Sequence, residues 1–404
     1  MLLNSDSILF TDVETSIYNK GNPFDPRNFL VSYVTISKQS GTCFKYYNDP
    51  DFISHMRSAV ANVSLVVGFN IKFDLHWMER IGVVLDPSVK IWDLQLGEFI
   101  LSGQSLPYDS LDAACGRYGL PRKPDVVKSY WDRGISTEHI PIPILQEYNI
   151  HDVETNVALY NFQQALLDDK QKALVLLEGD DLRTLQAAEY AGIKLNADGA
   201  RDLVVEQSSK LSELKQSLSK YLPDGIPVNG FNWGSGDHLS AFLYGGDISF
   251  DYAISSEAVY QSGAKKGTSY TRNRWQQATV SFPQRFKPLE GTAVAKSINP
   301  ETDKPYTDRT VFYQTDGPTL QQLKAKDKES KAILETLHTL AKEEKVGGMA
   351  ESLLKKSAEM HWEDNLIHPN YNQNVVVTGR LSSSQPNMQN QSPEIDKLLV
   401  SRYG

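Results

Sequence analysis

Ile8-Leu9-Phe10-Thr11-Asp12-Val13-Glu14, near the start of the chain, joins an apolar run to two acidic residues. Apolar and β-branched residues in this pattern predict a central β-strand. Because Asp12 and Glu14 are two residues apart, both carboxylates point to the same face of that strand. Two converging carboxylates attract a hard cation such as Mg²⁺. Taken alone, the pair is also typical of a cap near the end of a strand.

The first 172 residues alternate between short β-type runs and helical patterns. Strands are predicted at 7–12, 29–37, 43–47, 65–68 and 91–93. Helices are predicted at 52–60, 73–81, 110–118 and 144–166. This alternation predicts a mixed α/β domain over residues 1–172.

Two more groups of polar residues lie in this predicted domain. Between Gly68 and Asp74 a strand gives way to a helix, so we expect Asn70 to be a candidate cap and Asp74 to face the sheet edge. An ordinary acidic residue near a helix start is the alternative for Asp74. Tyr148 and Asp152 are four residues apart, which places the hydroxyl and the carboxylate on one helix face.

These residues, in this order, resemble the motifs of the DEDD superfamily of 3′ to 5′ exonucleases, in its tyrosine branch. The histidine branch has a His five residues before the last Asp, and this sequence has Glu147 there. The resemblance implies a ribonuclease H-like fold, with a mixed sheet flanked by helices, and two divalent ions, Mg²⁺ or Mn²⁺. The implied metal ligands are Asp12, Glu14, Asp74 and Asp152, and these four with Tyr148 are the implied catalytic residues.

The resemblance also implies a role for each residue. Asp12, Glu14 and Asp152 would hold the ion that activates water, and Asp12 would bridge to a second ion that Asp74 positions. Two ions about 4 Å apart suit the hydrolysis of a phosphodiester. Tyr148 would orient the attacking water, because a hydroxyl with a pKa of about 10 is a poor base at neutral pH.

The sequence changes in texture after residue 172. Helical patterns at 173–191, at 198–221 and from Leu320 to about Met360 flank a stretch interrupted by Gly and Pro, so residues 173–404 are expected to be mainly helical. Residues 315–354 resemble the thumb of family A DNA polymerases. Thr378 to Asn390 resembles the segment that leads from thumb into palm. Phe231 to Ser235 resembles a further polymerase segment, or is a helix start capped by Ser235.

The segment from Thr378 to Asn390 is a Gly-rich and Ser-rich loop that carries an arginine. Arg can enter the minor groove of DNA while hydroxyls and amides contact phosphates and sugars. An ordinary polar turn is the alternative. The predicted partners are primer-template DNA and a single-stranded 3′ end, and the predicted contact residues are Asn70, Arg380, Ser382, Ser383, Asn387 and Gln389.

The formal charge of −9 argues against a polyanionic partner for the chain as a whole, but the charge is unevenly distributed. Residues 260–288 contain six basic residues, no acidic ones, and interleaved aromatic residues. Such a patch suits nucleic acid, and a solvated basic loop is the alternative. The predicted DNA contacts in it are Lys265, Lys266, Arg272 and Arg274.

The composition limits the class of protein. With 404 residues, 40% of them hydrophobic and 23% charged, the chain has the composition of a globular protein of two or three domains. The two cysteines, Cys43 and Cys115, are too few for a disulfide framework. No apolar stretch approaches the roughly 20 residues that cross a bilayer. We therefore expect no membrane role and a cytoplasmic location, in the host cytoplasm if a phage encodes the chain.

The resemblance to the polymerase family also bears on the end of the chain. In that family the palm and fingers come after the segment that ends here at Asn390, and only 14 residues remain beyond it, so we expect a second polypeptide to carry them. Polymerisation is expected only with that polypeptide. The predicted function is thus the proofreading 3′ to 5′ exonuclease and thumb portion of a phage-type family A polymerase. The alternatives are a stand-alone ribonuclease D-like exonuclease and a non-catalytic subunit that docks DNA.

Overall fold

The computed structural model describes residues 7–121, 126–227, 230–263 and 265–402. The chain forms two compact units, the first made of Met1–Arg201 with Met349–Gly404 and the second of Asp202–Gly348. The strands β1 to β14 are Ile8–Thr15, Leu30–Ser37, Gly41–Tyr46, Leu65–Gly68, Lys90–Asp93, Ile193–Leu195, Gly246–Val259, Ser269–Phe282, Ile298–Asn299, Lys304–Pro305, Leu366–Ile367, Asn370–Asn372, Ser382–Ser384 and Leu399–Val400. The helices α1 to α12 are Phe52–Ala61, Lys72–Arg80, Leu94–Leu101, Leu111–Tyr118, Val126–Trp131, Ile142–Leu166, Asp169–Ala191, Ala197–Ser219, Gly236–Tyr244, Gly317–Gln322, Lys328–Glu359 and Pro393–Asp396.

The first unit is built on a five-stranded sheet with the order β3-β2-β1-β4-β5. The pairs β1–β2 and β2–β3 are antiparallel, whereas β1–β4 and β4–β5 are parallel. The carboxyl ends of β1, β4 and β5 therefore meet at one edge of the sheet. Helices cover both faces, since Leu9 packs in the cluster that contains Met56 of α1, and Phe10 packs with Val153 of α6. The predicted mixed sheet flanked by helices is confirmed.

Helix α7 packs closely on the edge strand β5. A Cβ atom at Gly179 would collide with the backbone carbonyl of Ile91, so only glycine fits at this contact. Val175 and Leu182 of the same helix are buried in the core clusters of the sheet. This packing keeps α7 in the first unit, and the compact units divide after Arg201 and Gly348, whereas the predicted domains divide between residues 172 and 173.

The segment after α11 returns to the first unit and adds short strands to it. β6 lies between β11 and β14 in a three-stranded sheet, and β12 pairs with β13. Both pairings of β6 are antiparallel. Residues that are far apart in sequence thus complete one compact unit.

The second unit differs from the mainly helical expectation. Its longest strands are β7 and β8, of 14 residues each, which pair in one antiparallel hairpin. The base of this hairpin packs with α9, α10 and α11 in a core that contains Phe242, Phe286 and Leu337. Ser235 caps α9, as one of the two alternatives for this segment expects, with its hydroxyl accepting a hydrogen bond from the His238 N–H at 3.5 Å.

The long helix predicted from Leu320 to about Met360 is wrong in one respect, because the chain forms two helices there. α10 ends at Gln322 and α11 begins at Lys328. The Ser330 N–H donates to Asp327 Oδ1 at 2.7 Å, a cap that starts the second helix. Within the described residues, no helix is both long enough and apolar enough to span a membrane.

Candidate active site

The central strand β1 brings two carboxylates to one face of the sheet. Asp12 lies opposite Val34 and Glu14 opposite Ser32 on β2, and the pairing shifts register between Glu14 and Thr15. Side chains two residues apart on a strand share a face, so both carboxylates face α6, the helix that packs on this side. The predicted convergence of Asp12 and Glu14 is therefore present.

Helix α6 supplies the third carboxylate. Asp152 has no solvent exposure. One carboxylate oxygen each from Asp12, Glu14 and Asp152 lies within 4.8 Å of the others. Three converging carboxylate oxygens make a hard donor set, which fits Mg²⁺ or Mn²⁺ better than a soft metal.

An amide on α6 links this carboxylate cluster to the neighbouring strand. Ser32 Oγ donates to Asn149 Oδ1 at 2.9 Å, and Asn149 Nδ2 donates to Asp12 Oδ2 at 3.4 Å. Asn149 itself is fully buried. Asn149 was not predicted from the sequence, although its position three residues before Asp152 places it on the same helix face.

Asp74 lies beside the cluster and is bonded to the strand backbone. The Val13 N–H, between Asp12 and Glu14, donates to Asp74 Oδ1 at 2.9 Å. Burial, and then the Asp12 carboxylate, raise the pKa of Asp74 well above its ordinary value. The group of three oxygens within 4.8 Å does not include Asp74. The structure therefore brings the fourth predicted ligand next to β1 without placing it among the other three.

The prediction that Asn70 caps the helix start before Asp74 is wrong. α2 begins at Lys72, and Asn70 is an exposed residue with a φ of 53°. Asp93, at the end of β5, instead accepts hydrogen bonds from the N–H groups of Ile71 at 2.9 Å and Asn70 at 3.3 Å. It also caps α3. Burial raises the pKa of Asp93 to about 6, against the effect of these N–H donors.

Tyr148 is anchored in a hydrophobic cluster one helical turn before Asp152. Its side chain is 8% exposed and packs with Val127 and Leu145. The Trp131 ring lies edge-on to it, with the ring centroids 6.0 Å apart. This packing limits the positions that the hydroxyl can take.

The predicted DNA-contact residues between Thr378 and Asn390, on β13 and the loops beside it, fall into two groups. Arg380, Asn387 and Gln389 are exposed. Ser383 is buried, and its hydroxyl accepts a hydrogen bond from the Met388 N–H at 3.1 Å, so it holds the loop together. Ser382 begins β13 and lies opposite Asn372.

The basic patch is placed on the hairpin of the second unit. Lys265 and Lys266 lie in its turn, and Arg272 and Arg274 lie on β8. All four side chains are exposed. The alternative of a loop therefore does not hold for the two arginines, which lie on a strand.

A buried polar network connects α2 and α7 to β12. Glu189 Oε1 accepts hydrogen bonds from Lys72 Nζ at 2.7 Å and from the Tyr371 N–H at 2.6 Å, and Glu189 Oε2 lies 2.7 Å from His76 Nε2. Burial lowers the pKa of His76, against the effect of its hydrogen bond with Glu189. His368 Nδ1 donates to the Glu189 carbonyl at 2.8 Å. None of these residues was predicted, because their partners lie far apart in sequence.

Comparison with known proteins relates part of this chain to DNA polymerases. Residues 291–397 match the family model of DNA polymerase family A. A DNA polymerase of Bacillus phage SP01 is 22% identical over 369 residues, which are 84% of this chain and 36% of the phage protein. The fold is similar to that of the POL domain of Pol1 from M. smegmatis in complex with DNA primer-template and dNTP, with a TM-score of 0.61 and 16% identity over 97% of this chain and 54% of that one.

These matches support the predicted relationship to family A DNA polymerases. The predicted polymerase-like segments at 315–354 and 378–390 lie inside the matched residues. The chain spans about a third of the length of the phage polymerase and about half of the solved structure. The matches do not support a second polypeptide carrying palm and fingers, so that expectation stays a prediction.

Proposed function

We propose that residues 1–172, within the first unit, form a 3′ to 5′ exonuclease of the tyrosine DEDD type, which acts on DNA during replication as the proofreading part of a family A DNA polymerase. One observation carries this proposal: oxygens of Asp12, Glu14 and Asp152 converge within 4.8 Å at the end of the central strand. The strand order β3-β2-β1-β4-β5, with helices on both faces, supports a ribonuclease H-like fold. The match of residues 291–397 supports the polymerase context.

The metal ligands in this proposal are the carboxylates of the cluster and Asp74. Asp12, Glu14 and Asp152 would hold one divalent ion, and Asp12 with Asp74 would hold a second. When bound, such ions lower the pKa of an attacking water and neutralise charge that develops on the phosphate oxygens. Asn149 holds the Asp12 carboxylate toward the cluster, and Tyr148 orients the water from its packed position.

We also propose that exposed polar residues of both units contact DNA. Asn70 would contact the single-stranded 3′ end, because it follows β4 at the sheet edge where the carboxylates lie. On either side of β13 the exposed candidates are Arg380 before the strand and Asn387 and Gln389 after it. Ser382 and Ser383 would act mainly by shaping this segment. Lys265, Lys266, Arg272 and Arg274 are the proposed phosphate contacts of the second unit.

The proposal is tested with single-stranded DNA that carries a label at its 5′ end. In Mg²⁺ the full chain is expected to shorten this DNA stepwise from the 3′ end and to release mononucleotides, and a chelator is expected to stop the reaction. An RNA of the same sequence is assayed in parallel. Preferential hydrolysis of the RNA would favour a ribonuclease D-like enzyme, and hydrolysis of neither substrate in Mg²⁺ or Mn²⁺ would refute the exonuclease.

A further inference from the structure

The hairpin of the second unit has a buried base and an exposed outer half. Residues pair without a register shift from Gly246 opposite Phe282 to Val259 opposite Ser269. At the base, alternate side chains such as Ile248 and Val280 are buried. Residues 253–263 and 265–275 are exposed on both faces apart from the half-buried Ala258, and we call them the distal ribbon. A two-stranded ribbon without a covered face is only marginally stable in water, so a binding partner would stabilise it.

The pairing register assigns each side chain of the distal ribbon to one of two faces. Residues directly opposite each other in an antiparallel pair share a face, and successive residues alternate. Arg272 lies opposite Ser256, and Arg274 lies opposite Ile254. These four residues and the other even-numbered residues of the two strands form the arginine face, which continues the face that is buried at the base. Trp275, whose side chain is 70% exposed, is on the other face, which we call the tryptophan face.

The charge of the distal ribbon is opposite to that of the whole chain. The ribbon contains four basic residues and one acidic residue, Glu257, whereas the chain carries a formal charge of −9. Glu257 lies opposite Thr271 and therefore on the tryptophan face. All the charged residues of the arginine face are thus cationic. This favours a polyanion as its partner.

The aromatic residues distinguish double-stranded from single-stranded nucleic acid. Single strands are bound by exposed aromatic rings that stack on bases beside cationic groups. Here the most exposed ring, Trp275, faces away from the two arginines. Tyr270 shares the arginine face and is 36% exposed, but its ring packs against the Tyr260 ring with the centroids 4.4 Å apart. The arginine face therefore presents two cations beside a pair of tyrosine rings that partly cover each other.

We propose that the distal ribbon binds duplex DNA with its arginine face against the sugar-phosphate backbone of one groove. The inference rests on the proposed function in taking DNA as the partner. The major groove, about 12 Å wide, admits a two-stranded β-ribbon. Arg272 and Arg274 are two residues apart on one strand, about 7 Å along it, and so reach successive positions of the backbone.

The test measures binding of the full chain to duplex and single-stranded DNA over a range of salt concentrations. The double variant R272S/R274S is expected to reduce the log-log salt slope for the duplex by about 1.8, or 0.9 for each lost phosphate contact. R272K/R274K keeps both charges and is expected to keep most of the slope. W275A, on the tryptophan face, is the matched control and is expected to bind duplex as the wild type does.

Three outcomes would overturn the proposal. They are an unchanged duplex slope in R272S/R274S, a loss in W275A as large as in that variant, and a loss confined to single-stranded DNA. Hydrolysis of single-stranded DNA by the wild-type chain is scored separately. Its absence would count against the exonuclease, whereas the duplex slopes alone decide the role of the ribbon.

Discussion

Tyr148 lies one helical turn before Asp152, and its ring is buried against Trp131. Because it orients water without holding metal in the proposed mechanism, Tyr148→Phe is expected to slow nucleotide release by about 10- to 100-fold, or roughly 1.4 to 2.7 kcal/mol. The measurement is the single-turnover rate on single-stranded DNA in saturating Mg²⁺. A loss as deep as that caused by removing a metal ligand would instead make the hydroxyl essential to the chemistry.

His368 gives the first unit a pH-dependent stability. Its ring stacks on Phe24 with the centroids 4.0 Å apart, and burial lowers its pKa to about 4. In the unfolded chain the imidazole has a pKa of about 6.5. Between about pH 4 and about pH 6.5 the unfolded chain therefore binds more protons at this group than the folded chain does. Stability from this group is present above pH 6.5 and is lost as the pH falls toward 4, by about 3 kcal/mol in all.

The variant His368→Gln removes this titration. Between about pH 7 and about pH 5 the free energy of unfolding is expected to fall in both proteins. The fall in the variant is expected to be smaller than the fall in the wild type, and the difference between them is about 2 kcal/mol. Denaturant titrations at the two pH values measure the difference. Equal declines in both proteins would show that His368 does not titrate in this window.

Residues whose contacts are with partners far away in the sequence could not be predicted from local patterns. Motif order and strand alternation select Asp12, Glu14, Asp74 and Asp152 as candidates, and the structure brings oxygens of Asp12, Glu14 and Asp152 together. Asn149, Asp93 and Glu189 were missed, since an Asn on a helix or an acidic residue near a strand end has many possible roles. Their roles are set by contacts such as that between Glu189 and the Tyr371 N–H, which only the tertiary fold creates.

At the scale of elements, the contact between α7 and β5 depends on the absence of a side chain. Gly179→Ala would place a Cβ against the Ile91 carbonyl, so this variant is expected to lower the free energy of unfolding by about 1 to 3 kcal/mol despite the better helix propensity of Ala. Gly348→Ala in α11 meets no atom within 4 Å and is the control, expected to gain up to about 1 kcal/mol. Denaturant unfolding of the two variants is the measurement. Equal effects would contradict the close packing of α7 on β5.

The predicted elements agree best where an element lies in the core of the first unit. β4 was predicted with its observed bounds, and α6 begins two residues before its predicted start, at Ile142. The hairpin of β7 and β8 was missed because its outer half buries neither face, so alternation of apolar and polar residues is confined to the base. The short helix α3 was missed because a strand and its Asp93 cap lie directly before it.

At the scale of the whole molecule, the compact units are assembled from distant segments. Residues 349–404 belong with the sheet of the first unit, although 147 residues of the second unit, Asp202–Gly348, come before them in the chain. Local sequence patterns carry no information about such a return, which is why the sequence analysis placed one boundary after residue 172. The resemblance to family A polymerases, in contrast, was evident from motifs and agrees with the match of residues 291–397.

The central claim, that a cluster of carboxylates hydrolyses DNA from its 3′ end, is tested most directly by an isosteric pair of variants on α6. Asp152→Asn keeps the shape of the buried side chain and removes its charge, whereas Glu154→Gln makes the same change at an exposed position two residues later. The measurement is the rate of mononucleotide release from single-stranded DNA in Mg²⁺. We expect Asp152→Asn to lose about a thousandfold or more, at least roughly 4 kcal/mol of transition-state stabilisation, and Glu154→Gln to stay within about twofold of the wild type. Undiminished release by Asp152→Asn would contradict the claim.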